Sequence, residues 1–458
     1  MALTTPSATE FEGPTTELLQ ALIRNECVND GTGDTGGETR NSDALVAYLE
    51  GPGVEIETFT PRDGRDSMIA RIAGTDPDAP SLCLMGHTDV VPVNPAGWSN
   101  NPFGGELLRN ADGVDEVWGR GAIDMLNLTS SMAVAFRDLA RSGFRPTGDL
   151  IYFGVADEEA GGVWGAEWMA EHHWDAMRAD YVLTELGGWS HEGPSGDRHV
   201  TVNVAEKGMS WRNLRVSGTP GHGSMPFGAD NALIKAAEII RRLSEYRPAP
   251  HLDEIWGAQV ASMDLPDELR DGLLAPAAIW STLEQLPPPV ARTCHACTHT
   301  TFSPNVVGGG QKPNIIPDTI DVEVDIRTVP GTSRDDVIGH LREALGDLFD
   351  HVEVSDLQIS EPTASPFGES NPLWESVRKH TQRAYPGAKR MPGRIAGGTD
   401  ARFYRERGAT AYGAGLFSKQ MDFATFGSRF HGHDERIDVE SRGLSAQYFH
   451  GIAVDMLS

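Results

Sequence analysis

The first third of the chain alternates short apolar runs with stretches of helical periodicity. Ser81-Leu-Cys-Leu-Met-Gly86 is one such run and ends at His87. Leu150-Ile-Tyr-Phe-Gly-Val-Ala156 is a second and ends at Asp157-Glu158-Glu159. Asp180-Tyr-Val-Leu-Thr184 is a third and ends at Glu185. From Asp124 onward the apolar spacing changes to three and four, through Leu128, Met132, Phe136 and Leu139, which predicts a helix starting near Asp124. Strand-like runs alternating with helical stretches predict an α/β sheet, whose ligands bind at the carboxyl ends of its strands.

After Glu206-Lys-Gly208 the pattern differs. Trp211–Val216 reads as a strand, Asn231–Glu245 as an amphipathic helix, and Ile320–Ile326 alternates strictly as a half-buried strand. A second helix is expected at Ser333–Leu348, then a strand at His351–Val354. These elements predict a small α+β domain inserted into the first. The expected division is residues 1–207 and 361–458 for the larger domain and 208–360 for the insert, with Ser365–Ser370 as the re-entry linker. Residues 248–300, rich in Pro, Leu and Ala without clean periodicity, read as an elaboration within the insert.

Composition narrows the function classes. The 458 residues carry 38 Lys+Arg against 66 Asp+Glu, a formal charge of −28. Such a surface repels phosphate backbones and anionic headgroups, so neither nucleic acid nor membrane is expected as a partner. Met1–Pro14 lacks a basic stretch followed by an apolar one, and four cysteines make no disulfide framework, so the expected location is the cytoplasm. Cys294-x-x-Cys297 has no second pair at zinc spacing and reads as surface cysteines.

The candidate chemistry sits at the strand ends. In His87-Thr-Asp89 the two side chains share a face, so Asp89 can orient the imidazole. Glu158 and Glu159 are adjacent and point apart, so one can bind metal while the other handles protons. Asp124, Glu159 and Glu185 with two histidines suffice for two metals sharing one ligand. Metals about 3.5–4 Å apart lower the pKa of a bound water and polarise a carbonyl. No His-Glu-x-x-His motif is present, which disfavours a single-metal site of that kind.

These residues lie in a longer series of motifs: Gly86-His-Thr-Asp-Val-Val-Pro92, Gly119-Arg-Gly-Ala-Ile-Asp-Met125, Asp157-Glu-Glu159 and Thr184-Glu-Leu-Gly-Gly188. The insert adds Gly221-His-Gly-Ser-Met-Pro226, Lys312-Pro-Asn-Ile-Ile-Pro317 and Val324-Asp-Ile-Arg-Thr-Val-Pro-Gly331. Gly397-Gly-Thr-Asp400 and Phe430-His-Gly-His-Asp-Glu435 close the series. In order and spacing the chain resembles, over nearly its whole length, the di-zinc peptidase and amidohydrolase family of acetylornithine deacetylase, succinyl-diaminopimelate desuccinylase, aminoacylase and glutamate carboxypeptidase.

The resemblance implies an α/β/α catalytic domain with a mixed central sheet, interrupted by a ferredoxin-like lid and dimerisation domain. It implies two Zn²⁺ per subunit, with Co²⁺ or Mn²⁺ as alternatives. His87 and Glu185 would hold one ion, Glu159 and His431 the other, and Asp124 would bridge them; His433 remains an alternative to His431. Glu158 would be the general base acting on a water shared by the metals, and Asp89 would orient His87. From the partner subunit of a homodimer, His222 would stabilise the oxyanion. Asn314, Arg327, Gly398 and Thr399 would contact substrate. The chain departs from the family pattern at Leu126-Asn127, where Lys-Gly is common.

The expected activity is hydrolysis of an amide beside a free carboxylate, in an N-acyl amino acid or a short peptide. A rival of another class is a non-catalytic metal-binding or interaction protein that keeps the fold; the retained Glu158 argues against it. A co-catalytic aminopeptidase would lack the inserted domain.

Overall fold

A computed structural model describes residues 5–458, so Met1–Thr4 of the N-terminal reading lie outside it. The larger body is built on a ten-stranded mixed sheet. At its centre Leu82–His87 lies parallel to Leu150–Val155 on one side and Tyr181–Thr184 on the other. Every residue of Leu82–His87 and Leu150–Val155 is buried, because a parallel strand covered on both faces takes apolar side chains on both. Thr410–Gly413 continues the parallel set beside Tyr181–Thr184. Some outer strands pair antiparallel, including Ser67–Ile72 against Leu150–Val155, while Lys389–Ile395 pairs parallel with Arg198–Glu206.

Helices cover both faces. Ala8–Arg24, Leu126–Ser142, Pro372–Ala384 and Val439–Leu457 contribute to the core on one side. Ala166–His172 and Ala401–Arg405 pack the smaller core on the other. The helix expected near Asp124 is Leu126–Ser142, which buries Leu128, Met132, Phe136 and Leu139 and ends at Gly143 in the left-handed region.

The insert is a four-stranded antiparallel sheet in the order Thr301–Gly309, Thr319–Thr328, Gly208–Ser217, Val352–Ser360. Helices Ala232–Glu245 and Arg334–Leu345 cover one face, giving the β-α-β-β-α-β succession of a ferredoxin-like domain. Asn231 and Ser333 cap these helices through their side chains. The second domain is the feature a plain co-catalytic aminopeptidase would lack.

Three details differ from the sequence-based expectation. Thr363–Ala364 already pairs with Arg198–Glu206, so the chain re-enters the large sheet before Ser365. Residues 248–300 form the helices Glu254–Ser262, Asp267–Leu274, Ile279–Leu283 and Pro288–Thr298, with a core of their own. That core docks on the catalytic body. Arg394 donates to the Cys297 carbonyl at 2.8 Å, and its guanidinium also pairs with Asp253. Cys294 and Cys297 are free and buried in this core, where burial pushes the Cys294 thiol up to about 12; they are apolar filling, not surface groups.

Candidate metal centre

The parallel centre of the sheet delivers His87, Glu158-Glu159 and Glu185 to one edge, because their strands end level with one another. Asp124 arrives in the turn before Leu126–Ser142, and His431 follows the short helix Phe423–Arg429. Two groups of donor atoms result, each within 4.8 Å: His87, Asp124 and Glu185, and Asp124, Glu159 and His431. Asp124 belongs to both. Its Oδ1 lies 3.2 Å from His87 Nε2 and its Oδ2 lies 2.8 Å from His431 Nε2. Glu185 Oε2 is 3.8 Å from His87 Nε2, and Glu159 Oε2 is 3.4 Å from His431 Nε2.

Electrostatics fit a pair of divalent cations. Burial pushes the Glu158 and Glu185 carboxyls well up and takes Glu159 to about 7, each helped by neighbouring carboxylates. Burial alone would lower His87, yet hydrogen bonds to Asp124 and Asp89 and the charge of Glu185 hold it well above the imidazole range. His431 is likewise carried to about 10 by Asp124 and Glu159 against the effect of burial. Carboxylates crowded this closely call for positive charge. Glu159 Oε1 is buried without any hydrogen-bond partner, a free lone pair for a cation. Imidazole and carboxylate donors suit zinc and its divalent neighbours.

The supports around these side chains begin with the expected contact between Asp89 and His87 and go beyond it. The His87 ring meets Asp89 through both the main-chain carbonyl at 3.0 Å and the carboxylate at 3.4 Å. Most of the Asp89 carboxylate is engaged elsewhere, accepting from the amides of Glu158 at 3.3 Å and Glu159 at 3.1 Å. Glu435 accepts from the amides of Ile123 at 2.6 Å and Asp124 at 3.1 Å and pairs with Arg120, which donates to the His431 carbonyl at 3.2 Å. Glu435 therefore braces Asp124 and His431 together; its place in the Phe430–Glu435 motif was visible, but its partners were not. Asp400, also inside a recognised motif, is buried with both carboxylate oxygens unpartnered.

At the departure from the family pattern, Asn127 donates at 2.8 Å to each of the carbonyls of Ala122 and Ile123 and so ties down the turn carrying Asp124. His433 belongs to neither donor group; its ring lies against Gly97.

The remaining expected residues belong to neither donor group. His222 is exposed on the insert, in a two-strand bridge with Ile315, and its Nδ1 meets Ser224 Oγ at 2.7 Å. Asn314 is the next residue along, and its carbonyl accepts from Gly223 at 2.8 Å. Arg327 stands on Thr319–Thr328, paired with Asp325 at 2.8 Å and stacked over Trp211 at 5.4 Å. Thr399, beside Gly398, donates from its amide at 2.9 Å and its hydroxyl at 2.8 Å to Glu206, on the catalytic body.

Comparison with known proteins points the same way. The family model described as Peptidase family M20/M25/M40 matches residues 83–455. The N-fatty-acyl-amino acid synthase/hydrolase PM20D1 of Xenopus tropicalis is 27% identical over 398 residues, covering 84% of this chain and 74% of that protein. Aminoacylase-1 of Mus musculus is 25% identical over 445 residues, covering 95% of this chain and 94% of that protein. Among solved structures, the M20 family metallo-carboxypeptidase Sso-CP2 from Sulfolobus solfataricus superposes with a TM-score of 0.67 at 17% identity, covering 96% of this chain and 99% of that one. Human carnosine dipeptidase 1 gives the same TM-score at 15% identity, covering 98% and 97%.

Proposed function

This chain belongs to peptidase family M20/M25/M40 and is a metallo-hydrolase, and on that premise we propose that it cleaves an amide bond next to a free carboxylate. The substrate class is an N-acyl amino acid or a short peptide. The observation that carries the reading is Glu158, a carboxylate set beside both donor groups yet belonging to neither.

His87 and Glu185 would hold one zinc, Glu159 and His431 the other, and Asp124 would be shared; Co²⁺ or Mn²⁺ fit the same donors. When bound, the ions supply Lewis acidity, lowering the pKa of water and polarising the substrate carbonyl. Glu158 takes the proton from the attacking water as oxygen joins the carbonyl carbon. It returns that proton to nitrogen as the C–N bond breaks, and the second proton of the water passes from the new acid to the amine, leaving a carboxylate and an ammonium group. Asp89 keeps the His87 ring oriented.

On the insert, Arg327 presents a guanidinium already fixed by Asp325 and Trp211, which suits recognition of the substrate carboxylate. Asn314, beside His222, and the Gly398-Thr399 turn complete the substrate contacts. His222 serves a partner's site in a homodimer formed through the insert. Support for that assembly comes from apolar side chains left exposed there, among them Met225, Phe227, Ile234, Val306 and Val307. Four free, buried cysteines support a cytoplasmic location, which fractionation of the source cell would check.

The test compares wild type with Glu158→Gln for metal content and for hydrolysis of a panel of N-acyl amino acids and dipeptides. Both proteins should hold two metals, with kcat in the variant lower by about 10²–10⁴. Equal activity in the two would remove Glu158 from the mechanism, and a metal-loaded wild type inactive across the panel would remove the substrate class.

A further inference from the structure

Beside the metal centre lies a buried polar network in which Asp89 is the one expected site residue. It starts from the segment Cys27–Asn29, which runs beside Thr88–Val90 through the parallel bridge Val28↔Val90. The amides of Asn29 and Val90 donate at 2.9 Å to the carbonyls of Val90 and Cys27 respectively. This bridge sets Asn29 directly against Asp89. Asn29 Nδ2 donates to Asp89 Oδ2 at 2.9 Å and to Asp157 Oδ1 at 3.0 Å. Asn29 Oδ1 accepts from the Gly31 amide at 3.1 Å and from Arg65 Nη2 at 3.3 Å. Arg65 Nη1 pairs with Glu38 at 2.6 Å and with Asp157 at 3.2 Å. Glu38 also accepts from the Asp157 amide at 3.2 Å. Asn29, Glu38, Arg65, Asp89 and Asp157 are all buried.

The two carboxylates that Asn29 joins govern the catalytic turn. Asp89 contacts the His87 ring and receives the amides of Glu158 and Glu159. Asp157 begins the turn with φ of +67°, a left-handed conformation uncommon outside glycine, asparagine and aspartate. Asn29 donates to both carboxylates at once, through the two hydrogens of a single amide. Arg65 offsets part of the charge that gathers when Glu38, Asp89 and Asp157 are buried together.

We propose that Asn29 and Arg65 are positioning residues of the metal centre: by fixing Asp89 and Asp157 they set His87 and the Glu158-Glu159 turn in register for two cations. Neither touches the donor groups; they act through Asp89 and Asp157. The proposal rests on the reading that His87 and Glu159 ligate metal.

The test titrates apo-protein with Zn²⁺ calorimetrically and records the visible spectrum of the Co²⁺-loaded form, for wild type, Asn29→Ala and Arg65→Lys. Groups that hold metal ligands from one shell out typically matter by about 10–100-fold in affinity. A weakening of that size in Asn29→Ala, with a shifted cobalt spectrum and lower kcat at nearly unchanged KM, is the expected result. Arg65→Lys keeps the buried charge, loses the two-pronged contact, and should fall between wild type and Asn29→Ala. Should Asn29→Ala fail to fold, Arg65→Lys and Asn29→Ser carry the same measurements. Wild-type zinc affinity and an unchanged cobalt spectrum in the folded variants would overturn the proposal alone. A wild type that binds no metal would overturn the site reading and this proposal together.

Discussion

Glu435 has no exposure to solvent, yet it ties Arg120, the Asp124 turn and, through Arg120, the His431 carbonyl into one unit. Removing one partner of a buried ion pair strands the other charge, which costs about 3–5 kcal/mol. Glu435→Ala should lose that much stability in urea unfolding, while an unchanged midpoint would show that Arg120 finds another partner. Residues whose work is done at a strand end, such as His87 and Glu185, could be singled out from the chain because the apolar run beside each marks its address. Asn29 and Glu435 could not be placed by the same means. Their partners, Asp89 and Ile123, lie far along the chain, and Asn29 and Glu435 themselves follow no apolar run.

At the scale of elements, parallel strands buried on both faces leave an unmistakable apolar run, and the alternation of Thr319–Thr328 shows its one covered face. The helices between 254 and 298 were harder to see. They are short, and Glu254–Ser262 lies between the small core of its neighbours and the strand Lys389–Ile395, so no single apolar stripe forms. The start of Leu126–Ser142 carries a different lesson, since Asn127 bonds backward to two carbonyls in the Asp124 turn. Asn127→Leu keeps the approximate volume and leaves both carbonyls unpaired. A buried polar group left unpaired costs about 1–3 kcal/mol, so the variant should unfold earlier in urea and bind metal more weakly. Wild-type values for both would mean that the turn is held by Glu435 alone.

For the whole molecule, the formal charge of −28 is only slightly spent at the metal centre, where Asp124, Glu158, Glu159 and Glu185 account for a small part. The proposed homodimer is the more decisive quantity, because His222 stands exposed on the insert and belongs to neither donor group. Mixing inactive Glu158→Gln with inactive His222→Ala should restore activity, since the mixed dimer joins one intact Glu158 with the intact His222 of the other chain. His222→Ala alone should lose about 10²–10³ in kcat, as for removal of an oxyanion donor. A monomer by sedimentation, or no recovery on mixing, would sink the shared-site reading.

The helices between 254 and 298, carried in the insert but seated on the larger body, also change the mechanics of the chain. The polypeptide passes between the two bodies four times instead of twice: near Lys207, near His251, near Thr300 and near Glu361. These passages are gathered together. The Lys207 ammonium donates to the His299 carbonyl at 2.7 Å and to Thr301 Oγ1 at 3.2 Å, and the His251 amide donates to the Thr298 carbonyl at 2.7 Å. Gly208 is packed against the Ser360 carbonyl and Pro362 so closely that no side chain would fit. A single cut at any one of these passages would leave three connections between the two bodies intact.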